Sequence, residues 1–488
     1  LFASRDRFGV KPFYYFRSNE TFIFSSEIKA ILKVKKINEA NHGKVFDYLA
    51  YGYKTSNGDT FFKDINELKP AHNIVIQNTK VNIEKYWDFK KTESDEREIE
   101  NKVKFLLYDS VKLRFRSDVP VAILLSGGLD SSIIARITDE LIETNKINQD
   151  EVTAYSAVFP GFKYDESDLI KEFLKTCKHI KSVEIIPDNQ DLINTIHTFV
   201  YGMGEPVFSP TSYAHYALMK QIKKENVKTV LNGQGADESW CGYDKNIIGY
   251  FLLDLLLSKP LEFLTQMSAF KEKKKYSHKF ILAQLLKAIF SRKYASFFRS
   301  KYSEKIYECL SDEFCKSNYN YFRNPNYKKL SSNNLNGYLK FNIQNQGFNQ
   351  ILHYEDHSSM LNSIEMRSPF IDYRLMEFAF SIPSERKLYY GTTKKILREL
   401  FKEKLPGSIV NNPEKIGFVT PFENRLEQHN MKEFVNDLLN SDSFNKKTIF
   451  DSKKIKNTFK DRKHFPNFPY WRIINLEIWS QVYGITNL

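Results

Sequence analysis

The sequence predicts an α/β protein: a doubly wound parallel sheet with a helical C-terminal part, preceded by a smaller β-rich segment. Three patterns carry that prediction. From Val103 onward, short apolar runs alternate with helical stretches, as crossover-connected parallel strands require. Residues 1–86 instead carry brief aromatic and β-branched runs between turn residues. Beyond Tyr243 the patterning becomes mostly helical and stays so to the end.

Taken in order, the β-rich runs are Phe13–Phe16, Thr21–Phe24 and Asn73–Ile76. The stretch Lys90–Glu98 is polar and charged, so residues 87–101 are expected as a linker or exposed helix start. Residues 102–488 make the larger unit. Its first strand is Val121–Leu125, five apolar residues bounded by Pro120. Val152–Phe159, Val183–Ile186 and Val227–Leu231 read as the second, third and fourth strands, with helical stretches between them. Residues 245–345 read as a long, lysine-rich helical insertion to which the sequence assigns no role.

At 488 residues the chain is long enough for two or more domains. Hydrophobic residues make up 42% and charged residues 27%, an ordinary globular balance. The longest apolar candidate, Ile247–Leu257, is interrupted by Asp254 and too short to span a bilayer. Four cysteines (Cys177, Cys241, Cys309, Cys315) have neither zinc-ligand spacing nor disulfide density, which fits a reducing cytoplasm. The net charge of +13 comes from widely spread lysines, densest at Lys271, Lys273, Lys274 and Lys275. Without a zinc finger, RNP-like motif or basic zipper, that charge reads as a solvated surface, with no nucleic-acid partner expected.

The first strand breaks into Ser126-Gly127-Gly128-Leu129-Asp130-Ser131-Ser132, and Ile133–Ile137 opens a helix. The glycines let backbone N–H groups converge without Cβ obstruction, and the helix N-terminus adds partial positive charge. Ser126, Ser131 and Ser132 add hydroxyl donors, and Asp130 can orient the loop or help hold a metal. A strand, turn and helix with a Ser/Asp cap is common by itself. The full S-G-G-x-D-S after an apolar strand points more specifically to nucleotide phosphates, and the Gly-Lys-Ser/Thr ending of a Walker A loop is absent. A second glycine-rich turn, Asn232-Gly233-Gln234-Gly235-Ala236-Asp237-Glu238, follows the fourth strand. Turns at the carboxyl edge of a parallel sheet face ligands. Asp237 and Glu238 are therefore read as holding Mg²⁺ or a substrate ammonium, the alternative being a polar turn that caps a helix.

The first of these segments resembles the pyrophosphate loop of the ATP pyrophosphatase superfamily. Taken together, the motifs resemble the glutamine-dependent asparagine synthetases over nearly the whole chain. Ser126–Ser132 matches the pyrophosphate loop, and Asn232–Glu238 with Gly242-Tyr243 the second signature. Glu205-Pro206 and Ser212 match an intervening segment; Tyr354-Glu355-Asp356, Ser359-Met360 and Ser363–Asp372 match a third. Lys394-Lys395-Ile396-Leu397-Arg398, Leu405-Pro406, Lys415-Ile416-Gly417-Phe418 and Pro421 match the C-terminal signatures. Arg5–Tyr15 and Ser25–Ala30 resemble late strands of the family's N-terminal-nucleophile glutaminase domain.

The resemblance implies a reaction. Aspartate's β-carboxylate attacks the α-phosphorus of ATP, giving β-aspartyl-AMP and pyrophosphate, and ammonia then displaces AMP to give asparagine. It implies a nucleotide site of Leu125, Ser126, Gly127, Gly128, Asp130, Ser131, Ser132, Ala157, Val158, Asn232 and Gly233, with ATP and Mg²⁺ as cofactors. Asp130 and Asp237 are the implied Mg²⁺ ligands. Lys394, in the K-x-x-L-R position, is the candidate lysine for the departing pyrophosphate, with Arg398 one helical turn on. A plain basic helix face is the equal alternative. Catalytic roles are further implied for Gln234 and Asp237, and substrate contacts for Glu238, Tyr243, Glu355 and Asp356. Glu365 and Arg367, two apart, would not share a helix face but meet on extended chain. They read as shaping the aspartate pocket or as a structural Arg–carboxylate pair.

Departures from the family pattern are informative. Many members carry glutamate where this chain has Gln234, which can position a substrate but not accept a proton in the same way. Asn411-Asn412 replace the usual arginine before K-x-G-F, and Trp240-Cys241 the Phe-Gly before Gly-Tyr. Family members use an N-terminal cysteine to attack glutamine, whereas the first cysteine here is Cys177. The expectation is therefore a truncated record that lacks the glutaminase nucleophile and takes free ammonia. A homodimer is the expected assembly to test. Two rivals stand beside this reading. One is amidation of another carboxylate on a polysaccharide or peptide, or β-lactam closure by a tyrosine–glutamate pair, for which Tyr354 and Glu355 are adjacent. The other is an inactive scaffold, against which the intact S-G-G-x-D-S and D-E argue.

Overall fold

Alternating apolar and polar residues in the first 86 positions form strands β1 (Phe2–Ser4), β2 (Tyr14–Arg17), β3 (Phe22–Ser25), β4 (Ile65–Glu67), β5 (His72–Gln77) and β6 (Lys80–Lys85). They pair antiparallel in the orders β1-β5-β6 and β3-β2-β4. The β-rich reading is joined by two helices the sequence patterning did not single out, Ile28–Val34 and His42–Tyr51. The second starts where the Asn41 side chain accepts from the Lys44 N–H and stops at Gly52, whose φ of +70° ends the helix in a left-handed turn. This computed structural model describes the chain except residues 53–57, 79, 91–94, 164, 187–188, 300–303, 323–333, 346, 414–421 and 466–467.

The larger unit is built on β7 (Val121–Leu124), β8 (Val152–Ala157), β9 (Ile180–Ile185), β10 (Thr229–Leu231) and β11 (Glu365–Arg367). All pair parallel in the order β11-β10-β7-β8-β9. From β7 the chain winds one way to β8 and β9, then returns to the other side of β7 for β10 and β11. The crevice between the carboxyl ends of β7 and β10 is thus a topological switch point, where such sheets bind ligands. The expected strands at 121, 152, 183 and 227 all form, with shifted ends: β8 stops at Ala157 and β9 begins at Ile180. β11 is an addition to the sequence reading.

Packing crosses the expected boundary at residue 86. One buried cluster joins Tyr14, Ile28, Val45, Phe46 and Phe61 to Phe199, Tyr213, Trp471 and Trp479. Trp87 and Phe89, at the start of the expected linker, pack on Phe8 and on Phe380, and the Trp87 Nε1–H donates to Glu377 at 2.8 Å. After β10 come the helices Asp244–Ser258, Pro260–Lys274 and His278–Arg299. Gly249 lets the first and third approach closely: a Cβ there would lie 2.0 Å from the Gln284 carbonyl oxygen. Among the described residues, no helix is long and apolar enough to cross a membrane, and the four cysteines are free thiols.

Candidate active site

β7 ends by handing its ladder to the loop: the Leu125 N–H donates to the Tyr155 carbonyl at 2.9 Å. Gly127 then takes φ +81°, and a Cβ on it would press on Glu166 at 3.1 Å. Gly128 leaves the chain extended at the N-cap of the helix Leu129–Glu143. The loop is braced internally. The Ser126 N–H donates to Ser131 Oγ at 3.2 Å, the two hydroxyls lie 3.1 Å apart, and Ser131 donates to the Gly128 carbonyl at 3.2 Å. Ala157 and Val158 end the neighbouring strand at the same sheet edge, Val158 donating to the Ile185 carbonyl at 2.9 Å. Among the described residues, the hydroxyls of Ser132 and Ser156 are buried without hydrogen-bond partners. Ser156 had no local motif to announce it.

The second loop lies directly on the first. A Cβ at Gly233 would sit 2.9 Å from Asp130 Cβ and 3.0 Å from the Ser131 nitrogen, so glycine is what permits the contact. Gly235, at φ +98°, turns the chain into the short helix Ala236–Trp240. At Gly242 a Cβ would fall 1.6 Å from Asp237 Oδ1. The glycine-rich signature therefore clears space for one carboxylate.

Lys394 closes the arrangement. Its Nζ lies 2.5 Å from Asp130 Oδ2 and 2.5 Å from Asp237 Oδ1, with all three side chains nearly buried. One ammonium thus joins both loops. Its backbone is left-handed (φ +52°) at the N-cap of the helix Lys395–Phe401, a strained conformation of the kind functional sites retain. Arg398 follows one turn on, inside that helix. The guanidinium donates to the Thr393 carbonyl at 2.8 Å and to the Val410 carbonyl, bracing the turn that carries Lys394. Burial depresses the Arg398 pKa, while the nearby Asp130 and Asp237 favour its charge.

A second, acidic group adjoins the first. Gln234 Nε2 and the Tyr243 hydroxyl each donate to Glu238 Oε1 at 3.5 Å. Burial, then Glu238, Asp237 and Asp130, push the Tyr243 pKa well above its usual value. Glu355, on the helix Phe348–Met360, lies near Asn232 and Glu238. Burial raises its pKa to about 8, against the opposing effect of Asn232. Tyr354, one residue earlier, faces elsewhere, accepting from the Phe208 N–H at 3.1 Å and from Gln350 at 2.5 Å. Tyr354 and Glu355 therefore do not form a joint pair.

Three expected substrate contacts fall differently. Asp356 pairs with Lys11 Nζ at 2.6 Å, tying the N-terminal segment to this helix. Glu365 lies in register with Thr229, which itself faces Val121, so it sits at the amino edge of the sheet, opposite the loop Ser126–Ser132. Arg367 folds back to Glu365 at 3.1 Å and donates to the Arg114 and Arg116 carbonyls at 2.8 and 2.9 Å. On a strand, residues two apart share a face, and this pair buttresses the sheet. Lys415–Phe418 and Pro421 lie outside the described residues.

A magnesium ion at this site would draw on two carboxylates, Asp130 and Asp237, both of which pair with Lys394. No group of three or more His, Cys, Asp or Glu side chains suited to a metal occurs among the described residues. Asp130 and Asp237 converge at the loop, however, and Mg²⁺ bound with nucleotide takes one or two carboxylates plus phosphate oxygens.

Comparison with known proteins gives the same outline. The family model described as Asparagine synthase matches residues 102–481, and that described as Glutamine amidotransferase domain matches residues 1–87. The chain is 36% identical to the putative asparagine synthetase [glutamine-hydrolyzing] 2 of Methanocaldococcus jannaschii, over 51% of this chain and 48% of that protein. It is 26% identical to asparagine synthetase [glutamine-hydrolyzing] 1 of Bacillus subtilis, over 90% of this chain and 68% of that protein. Amidase chry2 of Gibberella zeae is 25% identical over 85% of the chain and 67% of its own length. The chain thus spans about half of the archaeal relative and two thirds of the others. With a glycine-rich loop at the switch point, a buried Lys394 bridge and a family match over most of its length, the chain belongs to the asparagine synthase family.

Proposed function

We propose that the chain catalyses ATP-dependent amidation of aspartate to asparagine through β-aspartyl-AMP, releasing AMP and pyrophosphate. Glutamine is the nitrogen source in the proposed whole reaction, and free ammonia serves residues 1–488 alone. The observation that carries this reading is the Lys394 ammonium held between Asp130 and Asp237 beside the loop Ser126–Ser132. Backbone N–H groups and the helix N-terminus of that loop receive the β- and γ-phosphates. Lys394 stabilises negative charge on the departing pyrophosphate, and Arg398 holds the Lys394 turn in place. Bound by Asp130 and Asp237, Mg²⁺ would supply further charge neutralisation to the phosphates. Glu238, supported by Gln234 and Tyr243, receives the substrate ammonium.

The test is pyrophosphate release with ATP, Mg²⁺, ammonia and a panel of carboxylic acids. Release confined to aspartate, with asparagine formed, is the expected result. Release with a different acid would move the assignment to that acceptor, a reading supported by the relative named as an amidase. Silence with every acid would leave a scaffold. Ring closure gains no support, because Tyr354 and Glu355 face different surroundings.

A further inference from the structure

The helical insertion at residues 245–345 supplies no residue to the reaction proposed above, yet one of its helices touches three segments around Lys394. Lys394 follows a short hairpin, Leu388–Tyr389 and Thr392–Thr393, paired Leu388 to Thr393 and Tyr389 to Thr392. The two turn residues, Tyr390 and Gly391, both take positive φ, +47° and +67°. Turns of that shape favour Asn-Gly, and so short a ladder is unstable by itself. Tyrosine in the left-handed region adds strain. The hairpin therefore depends on what it leans on.

It leans on the helix Pro260–Lys274. The Tyr390 N–H donates to Gln266 Oε1 at 2.7 Å, and the Gln266 side chain is fully buried. A Cβ on Gly391 would lie 3.5 Å from Lys273 Cβ and 3.6 Å from the Ala269 carbonyl oxygen, so the turn sits close against the helix. Gln266 Nε2 has no hydrogen-bond partner among the described residues. A half-paired buried amide disfavours folding, so packing alone does not account for a glutamine there. Lys274, at the end of the helix, reaches the other two segments. Its Nζ lies 2.9 Å from Asp244 Oδ2, the residue after Tyr243, and it donates to the Pro413 carbonyl. Pro413 is three residues beyond Val410, whose carbonyl accepts from Arg398.

We infer that the helix Pro260–Lys274 is the platform that fixes the position of Lys394, with Gln266 and Lys274 as its positioning residues. Gln266 holds the hairpin from which Lys394 issues. Lys274 holds the exit of the second loop and the segment anchoring Arg398 to the same helix. The inference rests on the reading of Lys394 as the group facing the departing pyrophosphate. Charge on that leaving group develops in the transition state, so a displaced Lys394 lowers kcat and kcat/KM together and leaves KM nearly unchanged.

The experiment compares wild type with Gln266→Met, Lys274→Met and Lys274→Arg. Gln266→Met keeps the volume and removes the acceptor; Lys274→Arg keeps the charge and the donors. Pyrophosphate release is followed with ATP, Mg²⁺, ammonia and aspartate, and hydrogen–deuterium exchange is followed over residues 388–398 on the same preparations. In both methionine variants kcat should fall about 10–100-fold, with KM for ATP and aspartate held within about twofold. In Gln266→Met, exchange over 388–398 should quicken while the helix Leu129–Glu143 keeps its wild-type rate. Lys274→Arg should recover most of the lost rate. Wild-type kcat in both methionine variants would overturn the inference. So would a rise in KM alone, or exchange that quickens evenly along the chain, the mark of a merely structural role. If the wild type releases no pyrophosphate with any acid, the reading of Lys394 fails. The platform is then decided by exchange alone: unchanged exchange over 388–398 in Gln266→Met removes it, and local quickening upholds it.

Discussion

Lys394 is the residue whose change should separate chemistry from folding least cleanly. It is the shared counter-charge of two buried carboxylates, so Lys394→Met takes that counter-charge from Asp130 and Asp237 together. Removing one partner of a buried ion pair typically costs about 3–5 kcal/mol. Loss of pyrophosphate release together with a fall in urea stability of that order is expected, whereas a fully stable, active variant would dismiss the bridge as incidental. Lys387 offers a contrast away from the site. It is fully buried, donating to the Ala379 carbonyl at 2.9 Å and to Asn336 at 2.5 Å, and burial lowers its pKa from 10.5 to about 8. Between those values the unfolded chain binds more protons than the folded one, so stability should rise with pH there. Chemical denaturation across that range should show the rise in wild type and a flatter profile in Lys387→Met. Lys394 was legible because its motif is local. Lys11 was not, because its partner lies 345 residues away and nothing near it in sequence signals the pairing.

At the scale of the element, the two loops fit because Gly233 and Gly242 omit a side chain where the first loop and the Asp237 carboxylate must pass. Gly242→Ala should misplace Asp237, since the new Cβ would lie 1.6 Å from its Oδ1. The expected outcome is a loss of adenylation with a stability cost of about 1–3 kcal/mol, read by pyrophosphate release and thermal unfolding. Gly249→Val should cost a similar amount, about 1–3 kcal/mol, by prying apart the helices Asp244–Ser258 and His278–Arg299 at the Gln284 carbonyl. The central strands were readable because buried parallel strands form continuous apolar runs. β11 was not, because Glu-Met-Arg carries no such run and is a strand only by lying beside β10. The same register moved Glu365 and Arg367 out of the expected pocket: sequence spacing gave their shared face, and only the sheet gave its direction.

Across the whole molecule, the boundary drawn from composition at residue 86 is not a boundary in packing. Residues 38–42 are closed by the last residues of the chain. The Ala40 N–H donates to Asn487 Oδ1 at 2.7 Å, His42 meets the Asn487 carbonyl at 2.6 Å, and the Thr486 N–H donates to Asn38 at 3.0 Å. Deleting Thr486–Leu488 removes these contacts and the buried Leu488 side chain. A loss of about 2–4 kcal/mol is expected, visible as a lower urea midpoint; an unchanged midpoint would mean the tail is decorative. Composition hid this union because both partners look like ordinary amphipathic pieces, and the sequence distance between them carries no pattern.

That closure has a consequence for how the chain is made. Ala40 leaves the ribosome long before Asn487, the residue that completes its hydrogen bonding. The aromatic cluster holding Tyr14 and Phe46 likewise waits for Trp471 and Trp479. Domains usually fold in the order they are synthesised, but here the segment around Tyr14, Ala40 and Phe46 completes its packing only once Trp471, Trp479 and Asn487 have emerged. Until then its apolar side chains have no partners to bury them, so this segment is exposed to aggregation for as long as the synthesis of about 430 further residues takes, roughly tens of seconds.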